Sequence, residues 1–302
     1  MTHRIVSLLP AATEVVAAIG AATELVAVSH ECDFPSLVQH LPRITTSAVD
    51  PHGASREIDD AVRRLSSAGL PVFALDAGEL VRLAPTLIIT QTLCDVCAVS
   101  DGDVRAMDSV LQPAPRILAL GGSTLMGVWS DIAAVGDALG RNAAAATLLQ
   151  QLDARLDAVH GTLKAARAPR RRVAVIEWLD PLYVAGHWTP ELVRRAGGVD
   201  VLAEAGSHSV QVEAHRVRDA APHVLLIAPC GFGVDRAARE GAALLASEEW
   251  SWAEEIEAWA LDGNALTSRP GPRLADAVEV IAALLTPRLF AAPPALYARR
   301  LQ

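Results

Sequence analysis

From Asn142 to Arg167 the chain runs for roughly 26 residues with no proline and one glycine, Gly161, near the end. This predicts a single helix on the order of 39 Å long. Leu149, Leu152, Leu156, Val159 and Leu163 step along it by three and four, the spacing of one apolar face. Gly140 stops the helix before it, Asn142 is a good cap, and Pro169 prevents continuation. A helix of that length crosses a small domain. We therefore read the chain as an N-terminal lobe, 1–141, a connecting helix, 142–168, and a C-terminal lobe, 169–302. A linker without an internal break is stiff, so wide hinge closure is not expected. A long surface helix of one domain has the same periodicity, and spacing does not separate the two.

The lobes repeat each other. Ile5 to Leu9 is a short apolar run ended by Pro10 and followed by a helical pattern to Ile19 with Gly20 as its stop. Leu25 to Ser29 is a second strand, Pro71 to Leu75 a third and Arg116 to Leu120 the last of this half, with a helix starting near Ser55 between. Ala84-Pro85-Thr86-Leu87-Ile88-Ile89 enters a buried strand and leads to Cys94; Ala221-Pro222-His223-Val224-Leu225-Leu226-Ile227 has the same grammar and leads to Cys230. Arg172 to Ile176 opens the second half, Ala258 to Leu261 is its last strand, and a helix from Pro272 ends near Leu285. Strands alternating with helices predict an α/β fold of two mainly parallel sheets flanked by helices. Right-handed crossovers then bring all strand carboxyl ends to one edge, where such sheets bind ligands.

Composition removes several alternatives. Half of the 302 residues are apolar, which is globular and not disordered. A net charge of −9 lacks the basic stripe that phosphate neutralisation requires, so nucleic acid and anionic membrane surfaces are excluded as partners. No run of about 18 apolar residues occurs, so no membrane span is expected. Pro10 and Glu14 interrupt the opening apolar run before it reaches the length of a secretory core. The expected compartment is the cytosol, or the periplasm if a leader precedes this sequence. In a reducing cytosol the four cysteines are thiols or ligands.

The reactive residues collect where strands end. His30 and Cys32 follow the second strand, and Cys94 and Cys97 the run ending at Gln91; Tyr183, His187 and Trp188 follow the first strand of the second lobe, and Cys230 follows Ile227. One free cysteine is ordinarily a small buried hydrophobe. Four at one edge suggest a shared metal site, with zinc or an iron–sulfur cluster as occupant. Cys94-Asp95-Val96-Cys97 has metal-ligand spacing, but a second such pair is missing, and two packed thiols in a tight loop explain it equally well. As a redox dithiol it is badly placed, because Asp95, Asp101 and Asp103 raise thiol pKa values. Gly121-Gly122-Ser123-Thr124 lacks the spacing and lysine of a phosphate loop and reads as a turn. Arg269 and Arg273 sit beside a helix N-terminus, where the dipole disfavours them, which suggests an anionic ligand group or a carboxylate partner.

Arg4 to Glu14, Val26 to Ser29, Asp33-Phe34-Pro35, Ala84 to Ile89, Arg172 to Gly186 and Pro272-Arg273 together resemble the cobalamin and iron-siderophore substrate-binding proteins of ABC importers, over essentially the whole chain. Ser29-His30-Glu31-Cys32-Asp33, Leu93-Cys94-Asp95-Val96-Cys97, Glu177-Trp178-Leu179-Asp180-Pro181, Ala185-Gly186-His187-Trp188 and Ala228-Pro229-Cys230-Gly231-Phe232 are similar to a leaderless branch of that family, often labelled cobalamin-binding. The resemblance implies two sheet-and-helix lobes on one rigid helix. It also implies non-catalytic binding of a cobalamin-like corrinoid or related small metal chelate in a cleft between them.

On that reading His30, Glu31, Gln91, Trp178, Tyr183, His187, Trp188, Phe232 and Arg269 are the expected ligand contacts, and His187 is placed to approach a corrinoid cobalt. Cys32, Cys94, Cys97 and Cys230 are the candidate metal ligands. Transport members line the cleft with aromatic rings where Glu31, Gln91 and Ala265 stand here, although Trp178 is retained. They also carry one acidic knob per lobe for the permease. Glu79 fits the first and Glu213 lies two residues from the second, at His215, so docking to a permease is in question. The alternative is an enzyme or redox protein using the cysteines and histidines as ligands of a metal or iron–sulfur cluster. Neither a Ser/His/Asp order nor a carboxylate pair specifies a hydrolase.

Overall fold

The computed structural model describes residues 3–93, 99, 102, 104 and 111–302, so Cys94 and Cys97 lie outside the described residues. The chain forms two compact units: 1–122 with 126–150, and 123–125 with 151–302. The helix α5 (Asn142–Ala165) is one uninterrupted element whose residues are divided between the two units after Gln150. Leu152, Leu156, Val159 and Leu163 on its apolar stripe are buried, and its carboxyl end comes two residues before Arg167, which adopts φ 47°.

In the first unit β1 (Ile5–Ser7), β2 (Leu25–Val28), β5 (Leu87–Gln91) and β6 (Arg116–Leu120) form a parallel sheet in the order β2-β1-β5-β6. Ile5 lies opposite Leu25 and Leu87, and Gln91 opposite Leu120. The carboxyl edge therefore carries Ser7, Ser29 and Gln91. The helix α1 (Pro10–Ala18) begins with proline at N1 and is buried almost all round, from Ala11 through Val16, as expected of a helix packed inside a unit. Two further strands, β3 (Thr45–Ser47) and β4 (Phe73–Leu75), pair with each other antiparallel, outside the main sheet. The run Pro71 to Leu75 is thus not a strand of the parallel sheet. Phe73, Ala74 and Leu75 are only partly covered or exposed, which a central strand does not tolerate. The exposed helix α2 (Ser55–Ser67) lies between them, α3 (Ala77–Leu83), capped by Asp76, precedes β5, and α4 (Leu125–Ala138) follows β6.

In the second unit the order is β10-β8-β7-β11-β12-β13, with β9 also paired to β7. The parallel centre is β7 (Arg171–Leu179), β11 (Val224–Ile227) and β12 (Glu257–Leu261). The strand β9 (Gly198–Asp200) is parallel to the start of β7. Two strands run the other way, β8 (Leu182–Val184) and β13 (Ala298–Arg300), and β10 (Val210–Gln211) pairs antiparallel to β8. The hairpin β7–β8 and the return of the tail as β13 were not legible in the sequence. Helices α6 (Thr189–Arg195), α7 (Ala214–Asp219), α8 (Val234–Leu245), α9 (Gly263–Leu266) and α10 (Leu274–Leu285) complete the unit. Ala174, Ile176, Leu225, Ile227, Ala258 and Trp250 share one core cluster. At about 1.5–3 kcal/mol per large apolar side chain, such burial is what holds the sheet.

The repeated grammar has a structural counterpart within each unit. Arg4, just before β1, donates Nε and Nη2 to the Leu83 carbonyl at the end of α3 (2.9 and 2.7 Å). Arg172, entering β7, donates Nε to Ala221 O (3.0 Å) and Nη2 to Ala220 O (2.5 Å) after α7. Ala84 and Ala221, each before a proline, adopt φ 42° and 43°. In both units a guanidinium satisfies carbonyls that a helix end leaves without partners.

Candidate functional site

At the carboxyl edge of the first sheet the loop Ser29 to Cys32 is clamped by Arg43, whose Nη1 donates to Ser29 O (3.1 Å) and Cys32 O (2.5 Å). Buried Thr45 on β3 orients the imidazole of His30: Oγ1 accepts from His30 N (2.9 Å), lies 2.7 Å from Nδ1, and donates to Ser29 Oγ at 3.1 Å. A threonine has one hydroxyl proton. With it on Ser29, His30 Nδ1 is the donor and Nε2 keeps its lone pair. Burial first, then the charge of Arg43, holds the His30 pKa below the usual imidazole range, so the ring is neutral at pH 7. Its ring lies 5.6 Å from that of Phe73. Glu31 is exposed, and Gln91 is buried at 5 % exposure.

Cys32 is 1 % exposed, with its sulfur 3.1 Å from Thr13 Oγ1, which in turn donates to Ser7 Oγ at 2.8 Å. This is a thiol packed into a buried hydroxyl chain. Among the described residues no group of three or more His, Cys, Asp or Glu is arranged to hold a metal ion. Cys230, in the second unit, is exposed.

The Gly121-Gly122 turn is closed from within. Asp131 accepts from Gly122 N at 2.8 Å and Gly121 N at 3.5 Å, so the chain's own carboxylate takes the place an anion would need. Glu79 is engaged by Arg82 of its own helix at 2.5 Å, which lowers its pKa, and Glu213 is the exposed N-cap of α7.

In the second unit β8 runs antiparallel to β7, so Gly186 and His187 follow a strand leading away from the carboxyl edge: Ala185 N bonds to Val175 O, two residues before Glu177. This corrects the expectation that His187 and Trp188 directly follow a parallel strand. What returns them towards the end of β12 is the Trp188 indole, buried at 5 % exposure and donating to Thr267 O at 2.8 Å. The His187 ring stacks on Trp188 (centroids 5.6 Å) and meets His208 edge-on at 5.3 Å. His187 adopts φ 52°, a conformation costly for a residue with a Cβ and held here by two backbone bonds, His187 N to Ser207 O (2.6 Å) and Gly206 N to His187 O (2.8 Å). Burial, then His208, lowers its pKa, and its Nδ1 is buried without a hydrogen-bond partner.

Trp178 at the end of β7 faces Tyr183 in register and lies 5.3 Å from the Phe232 ring, over which the Arg236 guanidinium sits at 3.5 Å. Arg269 is 4 % exposed and donates to Asn264 at 2.9 Å. Sequence reasoning missed Thr45, His208, Ser209 and Glu177. The one available signal was an acid inside the apolar run of β7. Burial raises the Glu177 pKa to about 7, against the opposing hydrogen bond from Ser209. Asp200, likewise raised by burial to about 6, accepts from Leu202 N and Ala203 N.

Among the described residues no helix is long and apolar enough to cross a membrane. No curated protein matches the chain. Solved structures do. A periplasmic heme-binding protein from Pseudomonas aeruginosa is 21 % identical with a TM-score of 0.74, covering 99 % of this chain and 98 % of that one. The periplasmic vitamin B12-binding protein BtuF of Vibrio cholerae is 22 % identical with a TM-score of 0.64, covering 94 % and 96 %. The heme-binding protein RhuT from Roseiflexus sp. RS-1, in apo form, is 21 % identical with a TM-score of 0.67, covering 94 % and 98 %. At these identities the likeness shows a shared fold. The cytosolic expectation gains no support from relatives described as periplasmic. A family model described as periplasmic binding protein matches residues 5–253, and on that match the chain belongs to the periplasmic binding proteins, a family of non-catalytic substrate-binding components of ABC importers.

Proposed function

We propose that this protein binds a corrinoid or a related planar metal chelate as cargo, without chemical change. The observation that carries the reading is His187: a neutral imidazole, held in a costly backbone conformation, whose buried Nδ1 has no hydrogen-bond partner. A buried polar atom left unpaired calls for a partner outside the chain. The donor chemistry fits a chelate, since neutral imidazole is a common ligand for cobalt and iron. Flat rings are at hand as well, with Trp178 and Phe232 in contact and Trp188 behind His187. In the first unit the proposed contacts are His30, with its Nε2 lone pair, Glu31 and Gln91; in the second they are Trp178, Tyr183, His187, Trp188, Phe232 and Arg269. The similar solved proteins described as binding heme or vitamin B12 support the cargo class and leave the choice between a corrin and a porphyrin to experiment. Calorimetry and visible spectra with cyanocobalamin, cobinamide and hemin make that choice. Binding of a corrinoid with a shifted visible band is the expected result; neither heat nor spectral change with any of the three at tens of micromolar overturns the proposal.

A further inference from the structure

The small sheet of β3 and β4 brings Thr45 up to His30. The end of β2 holds the chain that enters β3, with Ile44 N donating to Val28 O (3.2 Å) and Val28 N to Pro42 O (3.0 Å). Thr45 is 2 % exposed, and its Oγ1 accepts from the His30 amide at 2.9 Å, so one lone pair and one proton remain for two neighbours. These are His30 Nδ1 at 2.7 Å and Ser29 Oγ at 3.1 Å. Ser29, equally buried, accepts the Thr45 proton and also takes the Glu31 amide at 3.3 Å. Were the Thr45 proton turned to Nδ1 instead, two hydroxyl oxygens 3.1 Å apart would face each other with no proton between them. The remaining lone pair of Thr45 therefore meets an Nδ1 that carries hydrogen. Among the described residues no hydrogen bond engages Nε2.

We infer that Ser29, acting through Thr45, sets the tautomer of His30, so that the first unit offers its cargo an Nε2 lone pair and no hydrogen-bond donor at this point. Ser29 and Thr45 are positioning residues, since both act through the ring. The inference rests on the reading of His30 as a cargo contact only for its functional consequence; the tautomer itself is independent of it. A bare imidazole nitrogen suits a metal centre or an amide N–H and is repelled by a carboxylate oxygen. The amide groups on the rim of a corrinoid meet that demand, and the carboxylates on the rim of hemin do not. Burial, then the charge of Arg43, opposes the imidazolium that a carboxylate would call for.

The experiment reads the ring nitrogens of His30 by long-range proton–nitrogen NMR in the cargo-free protein at about pH 8, above the imidazole range, with His30→Gln to assign the signals. A protonated nitrogen resonates far upfield of a bare one. The native protein should show Nδ1 protonated and Nε2 bare. Ser29→Ala leaves the Thr45 proton only Nδ1 as acceptor, so the pattern should invert. Thr45→Val, of the same shape without the hydroxyl, should lose the native pattern, and Thr45→Ser, which keeps the hydroxyl, should retain it. Ser29→Cys, whose sulfur is a weak acceptor, takes the place of Ser29→Ala if that variant does not fold. A bare Nδ1 in the native protein, or a native pattern in Ser29→Ala or Thr45→Val, overturns the inference. Calorimetry of the same variants reads the consequence: cyanocobalamin should bind about five- to tenfold more weakly to Ser29→Ala and near-natively to Thr45→Ser, while hemin loses no affinity. Equal losses for both probes overturn the acceptor role. If the native protein binds no cyanocobalamin, the cargo reading is what fails for that probe, and the NMR data still decide the role of Ser29.

Discussion

Trp188 and Thr267, separated by 79 positions in the chain, are joined by a buried indole-to-carbonyl hydrogen bond of 2.8 Å. The bond ties the turn after β8 to the helical turn after β12. Trp188→Phe keeps most of the apolar contact and leaves the Thr267 carbonyl without this donor, so it should cost about 1–3 kcal/mol. Trp188→Ala should cost about 3–5 kcal/mol, because it also opens a cavity. Urea unfolding midpoints measure both, and a native midpoint in Trp188→Phe would show that the hydrogen bond contributes nothing.

Glu177 and His187, both half-buried, act on stability with opposite signs. Glu177 has a pKa of about 7 in the folded chain and 4.5 in an ordinary setting, so between those values the folded state holds the extra proton. Its contribution is fully present below pH 4.5 and is lost as the pH rises through 7. Measured against Glu177→Gln, the native protein should therefore lose up to about 3 kcal/mol of stability between pH 4.5 and 8.

His187 and His30 work the other way, because burial lowers both pKa values below 6.5. The unfolded chain takes up protons first as the pH falls through the imidazole range, so these rings cause stability to decline towards acid. His187→Gln should flatten that decline, and unfolding curves between pH 7 and 5 will show it. An unchanged slope in this variant would place the acid sensitivity elsewhere.

Cysteine reactivity separates packed from accessible thiols. With Cys94 and Cys97 replaced by serine, Cys32 and Cys230 remain. Cys230 is exposed and Cys32 buried against Thr13. A thiol reagent should modify Cys230 rapidly in the native protein and Cys32 only after unfolding. Rapid modification of both in the native state would contradict the packing of Cys32.

Gly186→Ala tests the close approach of the two segments directly. The new methyl meets backbone at 2.4 Å, which no rotamer relieves, so the loop from Ser207 to Ser209 must move. The expected cost is about 2–3 kcal/mol, at the upper end for overpacking, with loss of the His187–His208 ring contact. Gly69, with nothing within 4 Å of its Cβ position but φ +66°, should be affected by alanine only through backbone strain, and so serves as the comparison.

What the sequence made legible was whatever follows from local periodicity. The helix from Asn142, the strands at Ile5, Leu25, Leu87 and Val224, and the stop at Gly20 each follow from their own run of neighbouring residues. The antiparallel additions did not, because β8, β10 and β13 are two or three residues long and are set by partners far away in the chain. The site was legible to the same extent. His30 follows the end of β2 and Trp178 lies at the end of β7, places that local periodicity gives. Thr45, which orients His30, and Ser209, whose hydroxyl accepts from Gly186 N, are ordinary polar residues whose roles exist only once the strands pair.

The matched pair Arg4 and Arg172 has a further consequence for how such a chain diverges. Both guanidinium groups bind main-chain carbonyls, which every amino acid possesses. A clamp of that kind is blind to the identity of the residues it fastens, so the helix ends beside it are free to change composition generation after generation while the entry angle of each sheet stays the same. A fold held at such points keeps its shape long after its letters have drifted.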